Sequence, residues 1–224
     1  MASRKSIRDS GLLIFGASGY ARVVRDVARL RGFDVAAFVE LAPDKSTFLD
    51  LPVLSQESLL DELSGRSVAI GVGNPSRRQN ISERLIEVGA KLVTLIHPET
   101  VIAEDVTIGE GSIVCAASVI NPGARIGRSV IVNTGAIVEH DCVLGDFSQI
   151  CPGATLGGNV RVGRGSWIGI GATVIEGISI GDWVMIGAGA CVVGDLEDEV
   201  VAYGVPAKVA RRARYFPESS TEAI

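Results

Sequence analysis

The chain has 224 residues, 47% of them hydrophobic but only 5% aromatic, with 27 glycines and a formal net charge of -5. That length holds one large or two small domains with real cores, and the acidic balance argues against a nucleic-acid binder. No run reaches the ~18 apolar residues of a membrane helix, and the start, MASRKSIRDSG, is too polar for a signal peptide. A cytoplasmic protein without membrane insertion is therefore expected. Cys115, Cys142, Cys151 and Cys191 lack CxxC spacing and read as small thiols in a reducing compartment, though a disulfide between two of them stays open.

Residues 1–10 read as a disordered tail. Gly11 to Phe15 (GLLIF) is a buried strand running into GASGYARVV, and Tyr20 to Arg31 follows a helical pattern with Val23, Val24, Val27 and Leu30 inward. Val35 to Val39 is a second strand. Gln56 to Leu63 reads as a short helix capped by Ser55, and Ser67 to Val72 as a third strand. A helix from Pro75 to Val88 follows, with Asn74 as its cap and proline at the first helical position. Alternating β and α over residues 11–96 predicts a small Rossmann-like βαβαβ unit with a parallel sheet. Gly16-Ala17-Ser18-Gly19, between strand and helix, offers backbone N–H groups to a phosphate. As a fingerprint it is incomplete, because Ser18 stands where GxGxxG has glycine, so a merely structural tight turn fits equally. Glu40, ending the second strand, is placed to accept hydrogen bonds from a ribose or base, or is a solvated loop acid.

From Ile102 the sequence repeats in sixes. Branched aliphatics occupy sixteen consecutive first positions, from Ile102 and Ile108 to Ile186 and Val192, and glycine fills the second position in eight of them. The fifth position is small or branched, as at Ala124, Val130, Ala136, Cys142 and Ala154. A fixed period with one large and one small inward residue describes a β-solenoid, in which each unit buries its aliphatic only against neighbouring coils. This region spans residues 97–197. Residues 198–224 read as a C-terminal loop and short helix carrying the basic cluster Lys208, Arg211, Arg212 and Arg214, either for the phosphates of a ligand or as a solvated face.

The repeats resemble those of the hexapeptide-repeat acyltransferases, which form a left-handed triangular parallel β-helix with three sixes per coil. On that resemblance residues 18 apart stack, and three outward columns follow. One reads Ile113, Ile131, Gln149, Trp167, Met185; the next Val119, Ile137, Thr155, Thr173, Cys191; the third, beginning at Arg125, is polar. Two different apolar faces suit the head-to-tail contact of a homotrimer. Nearly the whole chain is similar to the bacterial nucleotide-aminosugar N-acetyltransferases and the related sialic-acid O-acetyltransferases. The similarity runs from GASG through IHP (Ile96 to Pro98) and NTGAIVEHDCVLGDFSQICPGATLGGNV to the closing GVPAK. It implies acetyl-CoA as co-substrate, no metal, and a nucleotide-linked amino sugar held by Ser18, Gly19, Tyr20, Glu40 and Gly73. It further implies CoA contacts at Gln149, Ile170 and Ala188, a C4 amine as acceptor, and a place in polysaccharide or glycan biosynthesis. Three departures stand out: Tyr20 replaces the usual His after SG, Leu41 the usual second acid, and Gln149 a His near CoA.

Acyl transfer from a thioester needs a base that removes the nucleophile's proton. Only His97 and His140 are available. His97 precedes Pro98 at the domain junction and reads as structural. His140 lies at a coil corner between Glu139 and Asp141, where Asp141 can fix the imidazole tautomer and stabilise the imidazolium. The resemblance gives the same roles, general base and tuning acid, to these two positions. On the 18-residue stack Gly158 falls beside His140, leaving a gap for substrate. Asn133, in NTGA, is either a sugar contact or a structural corner residue. Two histidines cannot supply the three-His zinc site of a carbonic anhydrase on the same helix. A sugar hydroxyl acceptor, or nucleotide-sugar binding without catalysis, are the remaining alternatives.

Overall fold

The computed structural model describes residues 11–59 and 62–213, and the chain divides between Leu95 and Ile96 into two compact units. The expected tail at 1–10, and Arg214, lie outside the described residues.

The first unit holds a six-stranded sheet. Its strands are β1 (Leu12–Phe15), β2 (Val35–Glu40), β3 (Thr47–Phe48), β4 (Leu51–Ser55), β5 (Ser67–Ile70) and β6 (Lys91–Leu92), in the order β3-β4-β2-β1-β5-β6. All neighbours are parallel except β3 and β4. The continuous apolar runs LLIF and VAI are buried, as strands covered on both faces must be. Helix α1 (Gly19–Leu30) buries Ala21, Val24, Val27 and Ala28, whereas Val23 and Leu30, expected inward, are exposed. The buried face is the one that carries Ala21, Val24 and Ala28 at helical spacing, and Val23 and Leu30 lie to the side of it. Helix α2 (Pro75–Glu87) starts as expected, with the Asn74 side-chain oxygen accepting from Arg77 N–H at 3.0 Å.

The helix expected from Gln56 is, among the described residues, a 3₁₀ turn at Gln56–Ser58. Ser55 makes no side-chain cap there; its carbonyl accepts instead from the Ser58 hydroxyl. The hairpin β3–β4 was not expected, because its turn is Leu49-Asp50, both with positive φ (50° and 64°), and not the Asn-Gly pair that advertises such a turn.

The second unit is a left-handed parallel β-helix. Its two-residue strands stack in three sheets, pairing at 18-residue intervals: Ile131 with Gln149, Ile137 with Thr155, Val143 with Arg161. Backbone bonds climb from coil to coil, as from Asn133 N–H to the Ile150 carbonyl at 2.9 Å. Inside runs one apolar column in which Val132, Val138, Leu144, Ile150, Leu156 and Ile168 are fully buried against small fifth-position residues such as Ala136 and Ala154. Each such aliphatic contributes roughly 1.5–3 kcal/mol by burial before chain entropy is counted. Small polar groups at fifth positions find partners within the wall: Ser166 Oγ donates to the Gly181 carbonyl and accepts from Val184 N–H. The four cysteines are free thiols, and burial pushes Cys142 above the ordinary thiol value.

Beyond the coils the expected short helix is absent from the described residues. A hairpin, Val200–Gly204 with Ala207–Arg212, adds to the sheet edge at Met185–Ile186. The open rung supplies hydrogen-bond partners that outweigh the helix-forming composition of AKVARR. The column expected to point outward to a partner is partly covered: Ile113, Ile131 and Gln149 are already buried within the single chain.

Candidate functional site

Two sets of polar groups stand out, one in each unit. In the first, the turns after β1 and β5 meet. Gly16 N–H donates to the Val39 carbonyl at 2.8 Å, and Gly71 N–H to the Phe15 carbonyl at 2.7 Å. Gly16 has φ +107°, and a methyl group on it would lie 2.9 Å from the Gly71 carbonyl oxygen, so only glycine lets the two turns come this close. This is the switch point of the parallel sheet, where strand order reverses and open α/β folds bind ligands.

The sequence-singled residues Ser18, Gly19, Tyr20, Glu40 and Gly73 all fall on this edge. Ser18 and Gly19 are exposed at the α1 N-terminus, and Ser18 makes no side-chain cap, which leaves the first helical N–H groups for another acceptor. Gly19 and Gly73 both face open space. Glu40 is no solvated loop acid: its Oε1 accepts from Ala17 N–H at 2.6 Å and holds the GASG turn. Two residues were missed by sequence. Lys45 Nζ donates to the Ala17 carbonyl at 2.7 Å while lying over the Phe48 ring, so a cation is fixed beside the turn. Arg78, almost wholly buried, donates through Nη1 to the carbonyls of Gly73 (2.6 Å) and Val72 (3.3 Å) and fixes the second turn. Neither had a motif to mark it.

In the second unit, His140 and Asp141 form the corner after the strand Ile137–Val138. Asp141 has φ +59°, and its N–H donates to the Pro122 carbonyl one coil below at 3.0 Å. That turn aims the carboxylate at its neighbour, and His140 Nδ1 lies 2.9 Å from Asp141 Oδ2. Both side chains are more than half exposed, at 55% and 60%. A carboxylate at Nδ1 selects the tautomer with hydrogen on Nδ1 and leaves the Nε2 lone pair as a base. The space expected beside Gly158 is not open. The imidazole fills it, since a methyl group on Gly158 would lie 2.5 Å from Nε2 and 2.6 Å from Cε1.

The remaining candidates do not join this corner. Asn133 follows the strand Ile131–Val132, and its side-chain oxygen accepts from Thr134 N–H at 2.8 Å, a turn-forming bond. Ile170 and Ala188 are exposed at one other edge, stacked 18 residues apart by the Gly189 N–H bond to the Ile170 carbonyl. Gln149 is buried; its Nε2 is 3.5 Å from Cys151 Sγ and its Oε1 has no partner. Lys208 is exposed on the outer hairpin strand, opposite Tyr203. His97 is structural, its Nδ1 accepting from Glu99 N–H at 3.1 Å.

A triangular hexapeptide solenoid with a histidine–carboxylate pair at a corner defines an acyltransferase of the β-helix class. Comparison with known proteins narrows the class. Residues 11–85 match the model of the PglD N-terminal domain. PerB from Caulobacter crescentus, crystallised with CoA and GDP-perosamine, is 38% identical, with a TM-score of 0.86 over 91% of this chain and 98% of that one. The acetyltransferase domain of PglB from Neisseria gonorrhoeae is 36% identical (TM-score 0.83, covering 89% and 98%). WeeI from Acinetobacter baumannii is 28% identical (TM-score 0.84, covering 89% and 99%). The chain belongs to the hexapeptide-repeat nucleotide-sugar N-acetyltransferases.

Proposed function

We propose that this protein transfers the acetyl group of acetyl-CoA to the C4 amine of a nucleotide-linked amino sugar, with His140 as general base. The observation that carries the reading is the 2.9 Å contact between His140 Nδ1 and Asp141 Oδ2 on an exposed corner. His140 Nε2 takes a proton from the sugar amine as nitrogen bonds to the acetyl carbon. The carbon–sulfur bond breaks, and the proton passes to the departing CoA sulfur, giving the N-acetyl sugar and free CoA. Asp141 holds the ring and stabilises its charged form in between.

Ser18, Gly19, Tyr20, Glu40 and Gly73 are assigned to the nucleotide sugar, with Lys45 supplying positive charge beside the same turn. Asn133 is assigned to the sugar, and Gln149, Ile170, Ala188 and Lys208 to acetyl-CoA. Nucleotide sugars and acetyl-CoA meet in the cytoplasm, and glycan biosynthesis is the use such a product serves.

The working form is a homotrimer. His140 lies on one edge of the solenoid and the Ile170–Ala188 column on another, so a neighbouring copy is what brings the two kinds of edge together. Apolar groups remain exposed on both: Ile175 and Val193 on the His140 edge, Ile170 on the other. Unlike patches of this kind suit a closed ring.

The test is release of free thiol from acetyl-CoA against UDP-, GDP- and dTDP-linked 4-amino sugars. One of them is expected to be turned over, and His140→Ala to lower kcat by about 10²- to 10⁴-fold while acetyl-CoA still binds. Turnover only with a sugar hydroxyl, or an unchanged kcat in the variant, would overturn the reading.

A further inference from the structure

Phe48 ends the short strand β3 and is buried, although Lys45, Ser46 and Thr47 just before it are exposed. Lys45 Nζ stands 4.5 Å from the centre of its ring, and Arg22 Cζ, from the first turn of α1, stands 4.9 Å from it. A cation over an aromatic face is held by the ring's quadrupole, which supplies no negative charge. Lys45 has a second neutral partner, the Ala17 carbonyl at 2.7 Å. Among the described residues neither cation forms an ion pair. Both charges are therefore fixed without being neutralised, on a chain whose net charge is -5.

Packing alone does not ask for an aromatic here. An aliphatic side chain could fill the place beside Phe38, whose ring meets that of Phe48 edge to face at 4.9 Å, but it would offer the cations no π face. The hairpin fixes where that face lies: Phe48 pairs with Leu51, Val53 pairs with Phe38 of β2, and Val53 N–H donates to the Ser46 carbonyl at 2.9 Å. The backbone beside Lys45 is thus anchored. An exposed lysine otherwise samples many rotamers, and the ring and the carbonyl together select one. The grip reaches the GASG turn. Lys45 on the Ala17 carbonyl and Glu40 on the Ala17 N–H, at 2.6 Å, hold both peptide planes around Ala17. Because the peptide is planar, they also set the direction of the Ser18 N–H.

The geometry points to Phe48 as a positioning residue for the nucleotide-sugar site: its ring keeps Lys45 and Arg22, as unneutralised charges, where an anionic group seated at the Ser18–Gly19 turn meets them. This rests on the reading of that edge as the nucleotide-sugar site, and Phe48, being buried, acts through the two cations. Without the ring they spread over more rotamers. The order must then be supplied as the ligand binds, which weakens binding and leaves the chemistry at His140 alone.

The experiment combines Phe48→Leu and Lys45→Met, alone and together, in the full-length enzyme. It is read by calorimetry with GDP, UDP and dTDP, by kinetics with the corresponding 4-amino sugars, and by spectra of isotope-labelled, reductively methylated lysines. The chain has four lysines, and the one over Phe48 should carry a ring-current shift that Phe48→Leu abolishes. Phe48→Leu is expected to raise the Kd of the diphosphate that binds, and the KM of its sugar, by about three- to tenfold. The kcat at saturation and the KM for acetyl-CoA should hold. Lys45→Met, at an exposed position away from the core, should show the same pattern, and Phe48→Leu added to it should cost less than it does alone. Unchanged diphosphate affinity in Phe48→Leu, an equal cost in both backgrounds, a matching rise in the KM for acetyl-CoA, or a Lys45 signal without the ring-current shift would each overturn the positioning role. So would a wild type that binds none of the three diphosphates. Diphosphate binding without turnover of any nucleotide sugar would instead remove the acetyl-transfer reading and leave the role of Phe48 standing.

Discussion

Asp141 is one of the few residues other than glycine that the chain holds at positive φ. Aspartate tolerates that region better than most residues, and the conformation turns its carboxylate back along the chain onto the adjacent imidazole. Asp141→Asn keeps the shape but exchanges a charged acceptor for a neutral one. A charge-assisted hydrogen bond is worth about 1.5 kcal/mol at the low end of its range, the end that fits a solvent-screened pair, which is about tenfold in kcat. The loss should stay below that of His140→Ala, and steady-state kinetics at saturating substrate would show it. His140 and Asp141 were legible in sequence because they are adjacent and histidines are scarce. Glu40 was legible as a residue but not as a brace for Ala17, and Lys45 and Arg78 were not legible at all. Their partners lie on other segments, and nothing local in KSTF or PSRR says that the side chain folds back onto a turn.

At the scale of elements, the solenoid could be read strand by strand because one physical rule governs every unit: an aliphatic each sixth residue, buried on the coil below. The α/β unit obeys several rules at once, and the errors fall where they compete. In α1, side-chain size favoured Val23 and Leu30 for the core, but the helical face that is buried is the one carrying Ala21, Val24 and Ala28. In the β3–β4 hairpin the turn residues Leu49 and Asp50 adopt positive φ without glycine, so their composition concealed the turn. In AKVARR, helix propensity pointed one way and an unpaired strand edge pulled the other. Hydrogen bonding to Val200–Gly204 decided it.

For the whole molecule, the expectation is an assembly of three chains, each of 23.4 kDa. Light scattering of the purified protein should give a trimer mass, and glutamate in place of the exposed Ile170 (61% exposed) should shift it toward the single chain with loss of turnover. A monomer that retained full activity would contradict a site shared between copies. The sequence indicated which faces are apolar but not which are already covered, since Ile113 and Ile131 look as sticky as Ile137 in one dimension.

The C-terminal hairpin has a consequence for how the protein keeps to itself. A stack of parallel rungs has no natural end: the final rung presents the same donors and acceptors that joined all those before it. Here Val200–Gly204 takes up the edge beside Met185–Ile186, and the chain then doubles back so that the outermost strand, Ala207–Arg212, runs the opposite way and shows Lys208, Arg211 and Arg212 to water. Reversed direction and like charge make it a poor template for another molecule. A version terminated after Asp198 should therefore fibrillise or precipitate by end-to-end growth, detectable as a rise in turbidity, even though every coil and the His140 corner would still be encoded.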